Sequence, residues 1–278
     1  MALEKPIFLV GPHRSGTTLL YQLLARHAEL GYFNRANKRF PNSPRLAHGS
    51  TLLDRDDRPR EAQPIWDRFR TRDDDLMTAE DATPEIALWY RAQTERVLRL
   101  RRAPRFIAKY PRLSLRIDWI DAIFPGSLFV HVLRDWRAVV GSTTARSVKR
   151  ERRGGGWFGV RVPGWREERD APREIAVART FRAVTETIEH ETERRPDRFF
   201  QASYEEVCGD PAATLRRLAR QLELPWTAAF EASIPSDLVS GNARWAERID
   251  PALLARARAE APDFFDRYEA LVEARTAG

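Results

Sequence analysis

The chain holds a single cysteine, Cys208, two methionines, and only four lysines (Lys5, Lys38, Lys109 and Lys149) among its 47 cationic residues. One cysteine excludes an internal disulfide and fits a reducing compartment. No apolar run approaches the ~20 residues that span a bilayer. The start, Met1-Ala2-Leu3-Glu4-Lys5, leads straight into apolar chain without a secretory leader pattern. The expectation is a cytoplasmic protein with no membrane span. A charge block of one sign is also missing. The net charge is +7, yet arginines alternate with acids, as in Arg55-Asp56-Asp57-Arg58 and Glu167-Glu168-Arg169-Asp170. That pattern argues against a nucleic-acid stripe. Two denser stretches, Arg96 to Arg105 and Arg146 to Arg153, read as solvated helix faces before sites for an anionic acceptor or lipid headgroups. The 278 residues suffice for one α/β domain or two small ones. No linker divides them, so a single domain over 1–278 is expected.

What is present concentrates in Pro6-Ile7-Phe8-Leu9-Val10-Gly11-Pro12-His13-Arg14-Ser15-Gly16-Thr17-Thr18-Leu19-Leu20. Ile7 to Val10 reads as a buried strand. After Gly11, apolar residues recur at helical spacing in Leu19, Leu20, Leu23 and Leu24. Strand, glycine-punctuated loop and helix start together present backbone N–H groups at the positive end of a helix dipole, a cradle for a tetrahedral anion. The spacing follows G-x-x-x-x-G-K-S/T, with Thr17 where the lysine belongs. The cation is instead Arg14, followed by the hydroxyls of Ser15, Thr17 and Thr18. This set suits a monoanionic, three-oxygen group that needs no metal, and a sulfuryl group answers better than a γ-phosphate.

The first helix extends to about Arg26, where His27 is placed to cap carbonyls, and a strand follows near Gly31–Phe33. Residues 34–84 are polar and broken by Pro41, Pro44, Pro59, Pro64 and Pro84. They read as an acceptor-side excursion over the mouth of the sheet, with a short helix around Ile65 to Phe69. Residues 85–102 form an amphipathic helix with an inner stripe of Ile86, Trp89, Tyr90, Gln93, Val97 and Leu100. The strand Arg105–Lys109 ends in Lys109-Tyr110-Pro111, on the ligand side of an open α/β sheet, and a helix over Leu113–Ile123 follows. The most apolar strand, Ser127–Leu133, ends at Arg134-Asp135 and feeds a helix; His131 within it reads as a hydrogen-bonded core histidine. A helix over 173–194, a strand near Arg198–Phe200 and a helix opened by Asp210-Pro211 continue the alternation. The last 25 or so residues read as a peripheral helix. The fold expected is α/β, a three-layer sandwich with a central, mainly parallel sheet, P-loop NTPase-like. Residues 148–170, with Gly154-Gly155-Gly156 beside Trp157, Phe158 and Trp165, read equally as a surface loop or a lid.

These residues resemble the sulfotransferases that use 3′-phosphoadenosine 5′-phosphosulfate (PAPS), in motif nearest the tyrosylprotein and carbohydrate branch. The family's 5′-phosphosulfate loop, P-K/R-S-G-T-T, is met by Pro12, an inserted His13, and Arg14-Ser15-Gly16-Thr17-Thr18. Its 3′-phosphate motif is an Arg-Asp at a strand end with a serine eight residues on. Arg134-Asp135 and Ser142 meet it, and Arg146 matches the tyrosylprotein-type pattern. Lys109 resembles the K-x-P lysine near the bridging oxygen. Ser203-Tyr204-Glu205-Glu206 resembles the tyrosine segment beside the nucleotide, and Gly241-Asn242-Ala243-Arg244-Trp245 the late segment that brings Arg244 toward the 3′-phosphate. The likeness runs from about residue 5 to about residue 250.

The resemblance implies direct in-line transfer of SO₃ from PAPS to a hydroxyl or amine of a small-molecule, lipid or carbohydrate acceptor, leaving PAP and requiring no metal. Arg14 and the loop amides would hold the phosphosulfate while Lys109 neutralises the leaving phosphate. A general base should take the acceptor proton. The branch's glutamate after the first helix has no counterpart in Tyr32-Phe33-Asn34-Arg35. Glu61 is the candidate base, then Glu80 and Asp81, then His48. Phe33, Phe40, Trp66, Trp157, Phe158 and Trp165 either hint at an apolar or ring-containing acceptor or fill the core. Two rivals remain. A P-loop small-molecule kinase would use Mg-ATP with Asp135 on the magnesium, against which stands the missing lysine. An arginine-rich module for anionic polymers is opposed by the interleaved acids.

Overall fold

The computed structural model describes residues 4–41, 57–245 and 249–277. The strands β1 (Ile7–Val10), β2 (Leu30–Gly31), β3 (Arg105–Lys109), β4 (Leu128–Leu133) and β5 (Phe199–Ser203) form one parallel sheet in the order β2-β3-β1-β4-β5. Leu9 pairs with both Lys109 and Val130, and Val10 with His131, so β1, β3 and β4 finish along one edge. The chain leaves β1 toward β2 and β3, then returns to its other side for β4. Such a reversal opens a crevice beyond the strands' carboxyl ends.

Among the described residues the helices are α1 (Thr17–Leu24), α2 (Arg35–Arg39), α3 (Gln63–Trp66), α4 (Pro84–Arg101), α5 (Ile117–Ile123), α6 (Trp136–Glu151), α7 (Arg173–Arg194), α8 (Tyr204–Gly209), α9 (Pro211–Gln221), α10 (Ala228–Ala232), α11 (Pro251–Ala259) and α12 (Pro262–Ala277). They cover both faces of the sheet, which is why β1 and β4 read as unbroken apolar runs rather than alternating ones. On one face Phe8, Phe106 and Phe129 pack with Trp66, Tyr90 and Ile120. On the other, Ile7, Leu9 and Val130 meet Leu20, Leu24 and Leu218. Among the described residues, no helix is long and apolar enough to cross a membrane.

Several elements depart from expectation. The inner face of α4 is Ala87, Tyr90, Thr94, Val97 and Leu98, while Leu100 is exposed. Tyr90 sets this rotation by stacking on Trp66 and donating to the Ile65 carbonyl at 2.8 Å. Residues 111–115 form a 3₁₀ turn ahead of α5. His27 caps no carbonyl of its own helix: its Nε2 lies 2.8 Å from the Pro225 carbonyl, and its Nδ1 accepts from the Glu29 amide. His131 is buried, but its Nε2 has no hydrogen-bond partner, and burial lowers its pKa to about 4. The C-terminal helix is not peripheral. Phe265 and Tyr268 of α12 are buried against Trp136 and Phe181.

Within the 148–170 stretch, α6 continues to Glu151, and Gly154 at φ 71 closes it, with the Gly155 amide bonded to the Arg150 carbonyl at 3.0 Å. Glycine suits this helix stop because it enters the left-handed region without strain. Val160, Val162 and Trp165 then re-enter the main core.

The excursion is pinned by wholly buried Arg116. It donates to the Asp75 carbonyl at 3.0 Å, the Trp66 carbonyl at 2.8 Å and the Asp67 carboxylate at 3.0 Å. The Asp75 carboxylate, equally buried, also accepts from the Arg161 amide at 2.7 Å. Removing one partner of such a network strands the other charge. Arg116→Met is therefore expected to lower stability by about 3–5 kcal/mol, read as a drop in the urea midpoint.

Candidate active site

Backbone geometry shapes the loop after β1. Gly11 has φ 150, and a Cβ there would meet the Val132 carbonyl at 2.9 Å. Its amide donates to the Ser114 hydroxyl at 2.9 Å, which donates back to the Gly11 carbonyl at 3.1 Å. Arg14 has φ 69 and Gly16 φ 95. Helix α1 then opens with no side-chain cap and no acid in its first turn, so its leading amides and the positive end of its dipole stay available to an anion. Ser15 is fully buried and directs both its amide and its hydroxyl to the Pro12 carbonyl. These bonds hold the turn. Thr17 is buried and Thr18 exposed.

Strand β4 delivers Arg134 to this loop. Its Nη1 donates to the Arg14 carbonyl at 2.8 Å, its Nε donates to Asn242 Oδ1 at 2.8 Å, and its guanidinium lies 4.0 Å from the Tyr204 ring centre. Arg14 Nε in turn donates to the Ser142 hydroxyl at 3.0 Å. Arg14, Arg134, Ser142 and Tyr204 thus meet in one place. Arg146 lies one turn beyond Ser142 on α6 and is exposed. Arg244 is exposed in a 3₁₀ turn and makes no hydrogen bond or ion pair with described residues.

Sequence reasoning missed three supports. Asn242 orients Arg134, although it stands in the segment singled out for Arg244. Ser114 clamps Gly11, and the Tyr268 hydroxyl accepts the Arg134 amide at 3.1 Å. Neither has a local sequence signal, since both act across more than a hundred residues.

The Tyr204 ring sits against Gly16, where a Cβ would come within 2.6 Å of its Cδ2. Gly16→Ala is expected to cost of order 1–3 kcal/mol from clash and positive φ together. Adding Tyr204→Ala should relieve only the clash, so the two changes fail to add in a denaturation series.

At the end of β3, Lys109 is 3% exposed and its ammonium is ion-paired with the Glu61 carboxylate. Burial lowers the Lys109 pKa, while Glu61 pulls it back up. The Arg60 amide donates to the Phe33 carbonyl at 2.8 Å, so Glu61 arrives beside the stretch that has no carboxylate of its own. Ala62, directly after it, has φ 49, a strained value of the kind that collects at functional sites.

The other candidate bases lie elsewhere. Asp81 caps its own 3₁₀ turn through the Thr78 amide at 2.8 Å, and exposed Glu80 sits in the same turn. His48 lies outside the described residues. Asp135 caps α6 through the Arg137 amide at 2.9 Å and also pairs with the Arg137 guanidinium. His13, on the loop, has its Nδ1 shielded and without a partner. Burial first, then the charges of Lys109, Arg112 and Arg14, lowers its pKa to about 3, so it is neutral at pH 7. Of the aromatic residues, Phe33, Trp66 and Trp165 belong to the core. Trp157 and Phe158 line a narrow apolar pocket with His13, Val139, Thr143 and Phe181.

Residues 6–228 match the profile described as "Sulfotransferase family". The omega-hydroxy-beta-dihydromenaquinone-9 sulfotransferase Stf3 of Mycobacterium bovis is 28% identical over 265 residues, covering 84% of this chain and 65% of that protein; its Mycobacterium tuberculosis counterpart gives the same values. The chain thus spans just under two thirds of the length of these curated relatives. Among solved structures, sulfotransferase STF9 from Mycobacterium avium superposes with a TM-score of 0.62 at 21% identity, covering 96% of this chain and 78% of that one. Mouse sulfotransferase SULT7A1 complexed with PAP superposes at 0.50 and 11% identity, covering 100% and 90%. By the profile match across most of its length, this chain belongs to the sulfotransferase family.

Proposed function

We propose that the chain, acting as one unit, transfers a sulfuryl group from PAPS to the hydroxyl of a small-molecule acceptor. The observation that carries this is the Arg134–Arg14–Ser142 chain of hydrogen bonds, which joins the two anion-binding motifs at one edge of the sheet. The residues fit a nucleotide with two phosphate ends. The uncapped start of α1, with Arg14 and Thr18, suits the 5′ side. Arg134 and Ser142, with Arg146 and Arg244 exposed nearby, suit the 3′-phosphate through bidentate guanidinium contacts. The PAP complex of the mouse relative and the acceptor named for the mycobacterial relatives support the donor and the acceptor class. When bound, PAPS supplies the sulfuryl group on a stable leaving phosphate.

The rest is this chain's own work. Lys109, held at the carboxyl end of β3, places a positive charge where negative charge develops on leaving. Glu61 accepts the acceptor's proton once substrate separates it from Lys109. A kinase reading lacks its metal ligand, because the Asp135 carboxylate is committed to the α6 cap and Arg137.

PAP should raise the melting temperature equally with magnesium and with EDTA; a strict magnesium requirement would contradict the proposal. Glu61→Gln should cut kcat by about 10²–10⁴ with little change in PAP affinity. Unchanged turnover would remove Glu61 from the mechanism.

A further inference from the structure

On the α6 face that begins at Ser142, Arg146, Lys149 and Arg150 recur at four, seven and eight residues, and Arg153 follows in the closing turn. With 100° per residue these positions fall on one side of the helix. Together with Gly155 and Phe158, the four cations line an open cavity of about 300 Å³ whose lining contains no acid. None of these four forms an ion pair with a described residue. Glu151, the acid next in line, is taken by Arg173. Like charges at such spacing repel, and the helix's C-terminal dipole offsets only those in the last turn.

The closing loop holds the cluster in shape. Gly155 packs against Arg150, where a Cβ would come within 2.5 Å of its Cγ, and Arg150 Nε donates to the Gly156 carbonyl at 3.1 Å. Phe158 forms the wall between this basic cavity and the apolar pocket beside His13.

We infer that the acceptor carries an anionic group, a carboxylate, phosphate or sulfate, which Lys149, Arg150 and Arg153 of this stripe hold, beyond the Arg146 given to the nucleotide, while the acceptor's hydroxyl lies at the Arg14 loop and its body lies against Phe158. The inference rests on the sulfotransferase reading above. At 1.5 Å per residue, Lys149 and Arg150 stand about 10–12 Å along the helix from Ser142, two turns beyond the residue given to the 3′-phosphate.

The test uses the full chain saturated with PAP, titrated with 12-hydroxydodecanoate and with its neutral methyl ester. The carboxylate should bind at least about tenfold more tightly, the worth of one charge-assisted hydrogen bond. In Lys149→Glu/Arg153→Glu the preference should vanish while PAP affinity holds. Four results overturn the inference: no binding of the carboxylate, equal binding of both probes, a preference that survives the double variant, or a matching loss of PAP affinity, which would assign the stripe to the nucleotide. Loss of binding to phosphatidylglycerol vesicles with the carboxylate affinity unchanged would assign it to a membrane surface instead. PAP binding to the wild type is measured first; its absence defeats the sulfotransferase reading itself, and this inference falls with it.

Discussion

Replacing Arg134 with alanine is expected to weaken PAP binding by about 10²–10⁴-fold, as two charge-assisted hydrogen bonds to one phosphate disappear at ~1.5–3 kcal/mol each. The side chain is held in place by its neighbours. Its guanidinium is aimed by Asn242, stacked on Tyr204 and tied to the Arg14 carbonyl, so its removal also slackens the 5′ loop. Arg134→Lys should recover little, because an ammonium keeps the charge but neither the fork nor the stacking. Calorimetric titration of both variants with PAP checks the prediction, with far-ultraviolet circular dichroism showing that each remains folded.

Lys109→Ala should behave differently. Loss of a single preorganised donor at the leaving group costs about 10²–10³ in kcat, while PAP affinity changes much less. Its pH dependence has a definite sign. Lys109 acts as a cation, and burial sets its pKa below the ordinary 10.5. The alkaline limb of kcat/KM, which reports the free enzyme, should therefore begin at lower pH than for a free lysine, and Lys109→Ala should lack that limb. For stability the sign reverses. Below the lowered pKa both folded and unfolded states hold the proton, and the cost of burying the charge is fully present. Between that pKa and 10.5 only the unfolded state keeps it, so this lysine's contribution to stability improves as pH rises. A kcat/KM–pH profile beside a urea midpoint–pH profile separates the two effects.

The glycine-punctuated loop after β1 and the strand-end position of Arg134 were legible in the sequence because each is local: in the loop, apolar run, glycine, cation and helix start follow within fifteen residues. Strand β3 and helix α7 were readable for the same reason, since burial on both faces and a sustained period of 3.6 leave patterns in the chain itself. What escaped was set by distant contacts. Tyr268 sits in a segment whose periodicity alone marks it as peripheral, yet its hydroxyl meets the Arg134 amide from 134 residues away. The rotation of α4 depends on Trp66 beneath Tyr90, and no window on α4 contains Trp66. Ser15 looked like a ligand by position, but the tightness of the turn directs its hydroxyl inward to Pro12. The glycine triplet at 154–156 carried both loop and lid in its composition; its first member turned out to close a helix.

The most direct test compares PAP with AMP, which lacks the 3′-phosphate, in the wild type and in Ser142→Ala/Arg134→Ala without magnesium. Two strand ends holding opposite ends of one nucleotide require PAP to bind the wild type at least about a hundredfold more tightly than AMP. They also require that ratio to fall close to one in the double variant. Equal affinities in the wild type, or a ratio untouched by the double variant, would mean that Arg134 and Ser142 do not hold a 3′-phosphate.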